Sequence, residues 1–114
     1  MILDPILPEI YTFIDFTKHT CFIAKKHGNS SISTHLAGDI PKEHPMPYNV
    51  YVPIREFLLA DPKATDALIE YLENEFKRNT YDFTKITVKS STCHIKKSFG
   101  RSKEYPQIDV KLEW

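Results

Sequence analysis

Apolar residues recur every three or four positions between residues 62 and 78, and this spacing predicts one long amphipathic helix. The stripe consists of Ala64, Ala67, Leu68, Tyr71, Leu72 and Phe76. Asp61 and Pro62 suit its first turn, because aspartate caps free backbone amides and proline has none to lose. Lys77 and Arg78 suit its last turn, where the helix dipole favours cations. The pattern therefore predicts a helix over 62–78.

In the C-terminal third the spacing changes to the alternation that is typical of strands. Residues 83–89 and 92–99 alternate in opposite parity, which predicts two strands joined by a turn or bulge near 89–91. Alternation returns near the end of the chain, with apolar residues at Ile108, Val110, Leu112 and Trp114. A further half-buried strand is therefore expected over 108–114.

The first half of the chain is less regular. Ile6, Ile10, Phe13 and Ile14 fit a helix over 7–18, although this stretch is also rich in strand-forming residues. Short strands are expected at 21–24 and 50–54, a helical turn at 54–58, and a long loop between His27 and Tyr48. The expected fold is α+β: an antiparallel sheet of four to five short strands with the 62–78 helix and an N-terminal helix packed on it.

Length and composition predict one folded domain over residues 1–114, since 41% of the residues are hydrophobic. The N-terminus lacks the features of a secretory signal, and no apolar run approaches the roughly 18–20 residues that span a bilayer. Two cysteines are too few for a disulfide framework. We expect a cytoplasmic protein in which Cys21 and Cys93 are reduced core residues, with a Cys21–Cys93 bridge as the alternative.

Charge changes this picture only locally, because 15 basic and 15 acidic residues cancel. Residues 56–75 are strongly acidic, whereas 83–103 contain no acid and carry, besides His94, the cations Lys85, Lys89, Lys96, Lys97, Arg101 and Lys103. The basic stretch could bind nucleic-acid phosphates or an acidic protein. Alternatively, its lysines keep a solvated strand from pairing with other chains.

Catalytic chemistry has one coherent candidate. His94 and Lys96 lie on one face of a predicted strand, and with a second histidine from the loop (His27, His35 or His44) they would form a metal-independent ribonuclease. The cluster at 30–35, which includes Ser33 and His35, has no third group to orient the histidine, so it is interpreted as loop polarity.

Metal and cofactor sites are not expected. A zinc site from His19, Cys21, Cys93 and His94 fails because neighbouring strand residues point to opposite faces. Asp109 and Lys111 match only part of a metal-nuclease pattern, for which Asp82 would be the nearest second acid. With three glycines the chain has no nucleotide-binding loop, so no cofactor is predicted.

The proline-rich segment 40–48 offers Met46 and Tyr48 as anchors for a partner, or simply crosses the core. The leading hypothesis is a small intracellular protein that binds a protein partner, in the manner of inhibitors, immunity proteins or antitoxins. Its binding residues would be those two anchors, His94 and the six cations of 83–103. The alternatives are the ribonuclease using His94 and Lys96, and a non-enzymatic module that binds RNA or DNA. No membrane association is expected.

Overall fold

The computed structural model describes residues 2–38, 48–78, 83–96 and 102–114. After a 3-10 turn at Asp4–Ile6 the elements are α1 (Leu7–Lys26), β1 (Ser31–Ala37), α2 (Tyr48–Ala60), α3 (Ala64–Arg78), β2 (Lys85–Lys96) and β3 (Ser102–Glu113). The strands form one antiparallel sheet in the order β1-β3-β2. The predicted α+β class is therefore confirmed, but the described residues form three strands instead of four or five.

The N-terminal helix is confirmed and is longer than predicted. Residues 21–24, expected to be a strand, are the last turns of α1, because Phe13, Thr17, Cys21 and Ala24 continue the helical spacing on its buried side. That periodicity outweighs the strand preference of the individual residues. The chain leaves the helix at Gly28, whose φ of +81° is readily adopted only by glycine.

The second helix replaces the strand that was expected at 50–54. Val50, Tyr51, Ile54 and Leu58 are all buried and lie at helical spacing. The alternation of Val50, Val52 and Ile54 was misleading because it is too short to distinguish a strand from a helix. The helical turn predicted at 54–58 is correct and belongs to this same helix.

The third helix is the one that the sequence predicted best. It begins at Ala64, two residues after the predicted start, and buries Ala64, Leu68, Leu72 and Phe76. Backbone hydrogen bonds from Ala64 N to Asp61 O and from Thr65 N to Pro62 O form its first turn.

The turn or bulge predicted near 89–91 is wrong, because β2 continues through these residues with an unbroken register. β2 pairs with β3 from Lys85↔Glu113 to Lys96↔Ser102, so β3 also begins earlier than the expected 108. β1 ends opposite Gln107, and the five pairs beyond, from Thr92↔Pro106 to Lys96↔Ser102, form a two-stranded extension. Thr92 and His94 are exposed there. The apolar residues change parity because the core no longer lies beneath this part of the strand.

Part of the predicted long loop is strand β1. Its Leu36 is fully buried and pairs with Ile108 on β3. One face of the sheet, formed by Leu36, Val88, Ile108, Val110 and Leu112, belongs to the same core cluster as the buried residues of the helices. Both cysteines are free, so the alternative disulfide is not present. In the described part of the chain, no helix is long and apolar enough to cross a membrane.

Candidate functional site

The second face of the sheet is polar. Because successive strand residues point to opposite sides, the residues that alternate with the buried ones share this second side. We call it the open face; its side chains are exposed or half-buried and belong to Ser31, Ser33, His35, Lys85, Thr87, Lys89, Gln107, Asp109, Lys111 and Glu113.

A concavity of about 420 Å³ lies in the middle of the open face. Two neighbouring rows of the sheet line it. One row places His35, Asp109 and Lys89 side by side across the three strands, and the next places Ser33, Lys111 and Thr87. The concavity therefore combines two ammonium groups, an imidazole, two hydroxyls and one carboxylate.

A side-chain hydrogen bond fixes the carboxylate of Asp109. Gln107 Nε2 donates to Asp109 Oδ1 over 2.8 Å. Gln107 lies against Gly38, where a Cβ would collide with its side-chain oxygen. Ala37 and Gly38 both have left-handed backbone, with φ of +62° and +69°. Because Gly38 has no side chain, the end of β1 leaves space for the side chain of Gln107, which orients Asp109.

Helix α2 contacts strand β1 at His35 through Tyr51. Tyr51 Oη donates a 2.9 Å hydrogen bond to the backbone oxygen of His35, and the two rings lie 5.7 Å apart between centroids. Tyr51 is fully buried, and this burial raises its pKa to about 12. The phenol therefore remains protonated and serves as a permanent donor at neutral pH.

The described members of the basic stretch, Lys85, Lys89 and His94, do not form a uniformly positive surface. Three of its members face acids of β3 across the ladder: Lys85 is opposite Glu113, Lys89 is opposite Asp109, and His94 is opposite Glu104. His94 Nδ1 lies 3.4 Å from Glu104 Oε1. Lys85 and Lys89 also lie on the open face, whereas His94 and Lys96 follow the other parity of β2. The predicted binding residues of β2 therefore do not share one face of the sheet, and three of them are paired with acids of β3.

Several predicted binding residues lie outside the described residues. These are Met46, Lys97 and Arg101, together with the side chains of Tyr48, Lys96 and Lys103. The predicted anchors and the cations Lys96, Lys97, Arg101 and Lys103 therefore stay predictions.

The histidines proposed for ribonuclease chemistry are not brought together in the described part of the chain. His35 is five rows from His94, about 17 Å along the sheet, and follows the opposite parity. His27 ends α1 just before β1, near the far end of the sheet. His44 lies outside the described residues. No group of three metal-ligating side chains occurs among those described, so the zinc candidate finds no support there.

The sequence predicted Lys89 as a binding residue but not the rest of the site, because the other residues were assigned to different interpretations. Ser33 and His35 were assigned to a loop, and Asp109 and Lys111 to a fragment of a nuclease pattern. The alternation of apolar residues with Asp109, Lys111 and Glu113 correctly indicated a half-buried strand, but only the register with β1 shows that His35 is opposite Asp109. The second acid of the nuclease pattern, Asp82, lies outside the described residues.

Comparison of the chain with protein-family models, with curated proteins and with solved structures finds no match.

Proposed function

We propose that this protein is a binding module that docks its open face against a protein partner, in the manner of an inhibitor, immunity protein or antitoxin. The observation that supports this proposal is a polar sheet face with fixed rows of charges, backed by a fully buried core. Ile108, Val110 and Leu112, which alternate with the open-face residues of β3, are at most 1% exposed. A sheet backbone held in this way loses little conformational entropy on binding.

The charges favour a protein over a nucleic acid. On the open face Lys85, Lys89 and Lys111 are interleaved with Asp109 and Glu113, an excess of one positive charge. Affinity for nucleic acid requires several cations that neutralise phosphates. Alternating signs instead allow charge complementarity with one partner and repulsion of others.

The three-stranded part of the open face is too small to form a whole stable interface. A stable interface covers about 800 Å² on each partner, more than the seven three-stranded rows provide at roughly 3.3 Å per residue and 4.8 Å per strand. The two-stranded extension continues the surface and carries Tyr105, whose ring lies 4.5 Å from the Arg55 guanidinium. Tyrosine and arginine are the residue types that most often anchor interfaces. We therefore place the second part of the interface around Tyr105 and Arg55.

Affinity capture from cells that naturally contain the protein tests this proposal. Wild-type bait should recover one partner at a stoichiometric ratio. A bait with Lys89→Glu and Lys111→Glu should lose it. A matched control with Asp66→Lys and Glu70→Lys, two exposed charges on α3, should retain it. Equal recovery by all three baits, or no partner for a well-folded wild-type bait, would contradict the proposal.

The two nucleic-acid alternatives are tested with the same protein. A non-enzymatic module should bind a labelled oligonucleotide with an affinity that falls steeply with salt and with Lys96→Ala plus Lys97→Ala. A ribonuclease should lose RNA cleavage on His94→Ala while remaining folded. No binding at low salt would exclude both. The acids opposite Lys89 and His94 are the structural reason to rank these alternatives second.

A further inference from the structure

We propose that the concavity of the open face binds a carboxylate group carried by an acidic segment of the protein partner. The inference rests on the proposed function for the source of that carboxylate. The site itself is defined by the side chains of the two central rows and can be probed without the partner.

The lining supplies donors in excess of acceptors. The ammonium groups of Lys89 and Lys111 and the hydroxyls of Ser33 and Thr87 can all donate to an oxyanion. Among the described residues of the lining, Asp109 alone carries a carboxylate, and its Oδ1 already accepts from Gln107. An entering carboxylate would therefore find several donors and one fixed negative charge.

The two lysines are close enough to share one anion. They lie on adjacent strands as diagonal neighbours on the same face, because Lys111 is opposite Thr87 and Lys89 is two residues further along β2. Such diagonal positions are about 7–8 Å apart, within reach of long side chains. Lys111 Nζ is 3.8 Å from Glu113 Oε1, an exposed ion pair of the kind that is easily exchanged for a ligand.

The net charge of the lining favours a carboxylate over a phosphate. Two lysines and one aspartate leave an excess of one positive charge, which matches a monoanion. A phosphate ester with nearly two negative charges would be only partly compensated and would lie beside Asp109. The volume of about 420 Å³ is at the lower end of the range of roughly 300–1,000 Å³ for small-ligand sites, which suits one acidic side chain.

Asp109 sets the selectivity of the site. Its carboxylate opposes the entering anion, and the hydrogen bond from Gln107 keeps it in position. Asp109→Asn retains an oxygen that accepts from Gln107 but removes the negative charge. Carboxylate affinity should therefore rise about threefold in Asp109→Asn, whereas in Lys111→Gln it should fall about tenfold, the equivalent of one charge-assisted hydrogen bond.

The experiment is a titration followed by backbone amide NMR shifts at constant ionic strength. The probe is a blocked pentapeptide of four glycines around one central glutamate, so that it carries a single carboxylate, and its glutamine counterpart is the control peptide. We expect saturable shifts at Ser33, Thr87, Lys89 and Lys111 with the glutamate peptide alone. Lys77→Gln, an exposed charge on α3, should bind it like wild type.

Three results would overturn the inference: equal shifts with the glutamine peptide, equal losses in Lys77→Gln and Lys111→Gln, or tighter binding of inorganic phosphate than of the glutamate peptide. Failure of the proposed function is distinguishable from these. If the glutamate peptide binds as expected but no partner depends on the open face, the carboxylate site stands and the proposed function falls. If a partner needs the open face but is unaffected by Lys111→Gln alone, only the carboxylate site falls.

Discussion

The hydroxyl of Tyr51 on α2 donates a 2.9 Å hydrogen bond to the backbone oxygen of His35 on β1. This bond joins a fully buried helix residue to the edge strand that lines the candidate site. Tyr51→Phe removes this donor, so the backbone oxygen of His35 loses the hydrogen bond from α2. We expect the substitution to lower the free energy of unfolding by about 1–2 kcal/mol.

Urea denaturation measures this cost. The matched control is Tyr11→Phe, because Tyr11 is half exposed and water can replace its hydroxyl in the hydrogen bond with Tyr71. We expect that variant to change stability by less than about 0.5 kcal/mol. Equal effects of the two substitutions would show that the bond to His35 contributes nothing to stability.

The contact between Gly38 and Gln107 allows a double-mutant cycle. Gly38→Ala introduces a Cβ at a φ of +69° and against the glutamine side chain, whereas Gly28→Ala introduces one at +81° in open space. Gly28→Ala should therefore cost only the backbone term, about 1–2 kcal/mol, and Gly38→Ala clearly more.

Combining Gly38→Ala with Gln107→Ala removes the collision with the glutamine amide, while the Cβ of residue 107 remains 3.0 Å from the added Cβ. The double variant should recover at least about 1 kcal/mol relative to the sum of the single changes, as measured by chemical denaturation. Additive effects would mean that Gln107 moves aside without cost, and that the end of β1 does not hold it in place.

Helices were predictable wherever periodicity was long enough. The spacing from Ala64 to Phe76 identified α3 because it covers several turns and has charged residues at the appropriate ends. Residues 50–54 failed because three alternating residues fit a strand and a helix equally well. Only burial of Tyr51 and Leu58, which depends on tertiary packing, distinguishes the two.

The site was harder to predict than the fold because it depends on register. A run of cations in the sequence indicated a basic surface, but Glu104, Asp109 and Glu113 come from the neighbouring strand and lie opposite three of its members. Pairing between strands that are distant in sequence is not encoded in local charge. Strand β1 was predicted as part of the long loop because its sequence has little apolar alternation. Only Ile32 and Leu36 of β1 carry large apolar side chains on the core side.

Trp114 joins the end of β3 to the segment before β1. Its indole Nε1 donates over 2.8 Å to Asn29 O, and its backbone amide donates over 2.9 Å to Ser30 O. Lys25 Nζ lies 5.4 Å from the ring centroid. Trp114→Phe should lower the free energy of unfolding by about 0.5–1 kcal/mol because the hydrogen bond from the indole is lost. Trp114→Ala should lower it by about 2 kcal/mol because the half-buried ring is lost as well.

Fluorescence provides a direct check, because Trp114 is the only tryptophan of the chain. If this corner unfolds together with the core, fluorescence and far-ultraviolet circular dichroism should give coincident denaturation curves for the wild type. A fluorescence transition at lower denaturant would show that the corner opens separately, and the costs of the two substitutions would then be smaller than stated.

Burial of Cys21 predicts a loss of stability at alkaline pH. Removal from water raises the pKa of this thiol from 9.0 to about 11, because the thiolate is poorly solvated on the buried side of α1. The folded state thus keeps a proton that the unfolded state releases above pH 9.0. The contribution of this thiol to the free energy of unfolding is fully present below pH 9.0. It decreases as the pH rises towards 11, and the loss is about 2 kcal/mol near pH 10.5.

Unfolding free energies at pH 8 and pH 10.5 test this sign and size. Wild type should lose about 2 kcal/mol more between the two pH values than Cys21→Ala, because the variant lacks the titrating thiol while both proteins keep the same tyrosines. Cys93→Ala, which removes the half-buried thiol of β2, is the matched control for the replacement of a cysteine. An equal pH dependence in wild type and Cys21→Ala would mean that the thiolate of Cys21 is tolerated in the folded state, and that the buried side of α1 admits water at this position.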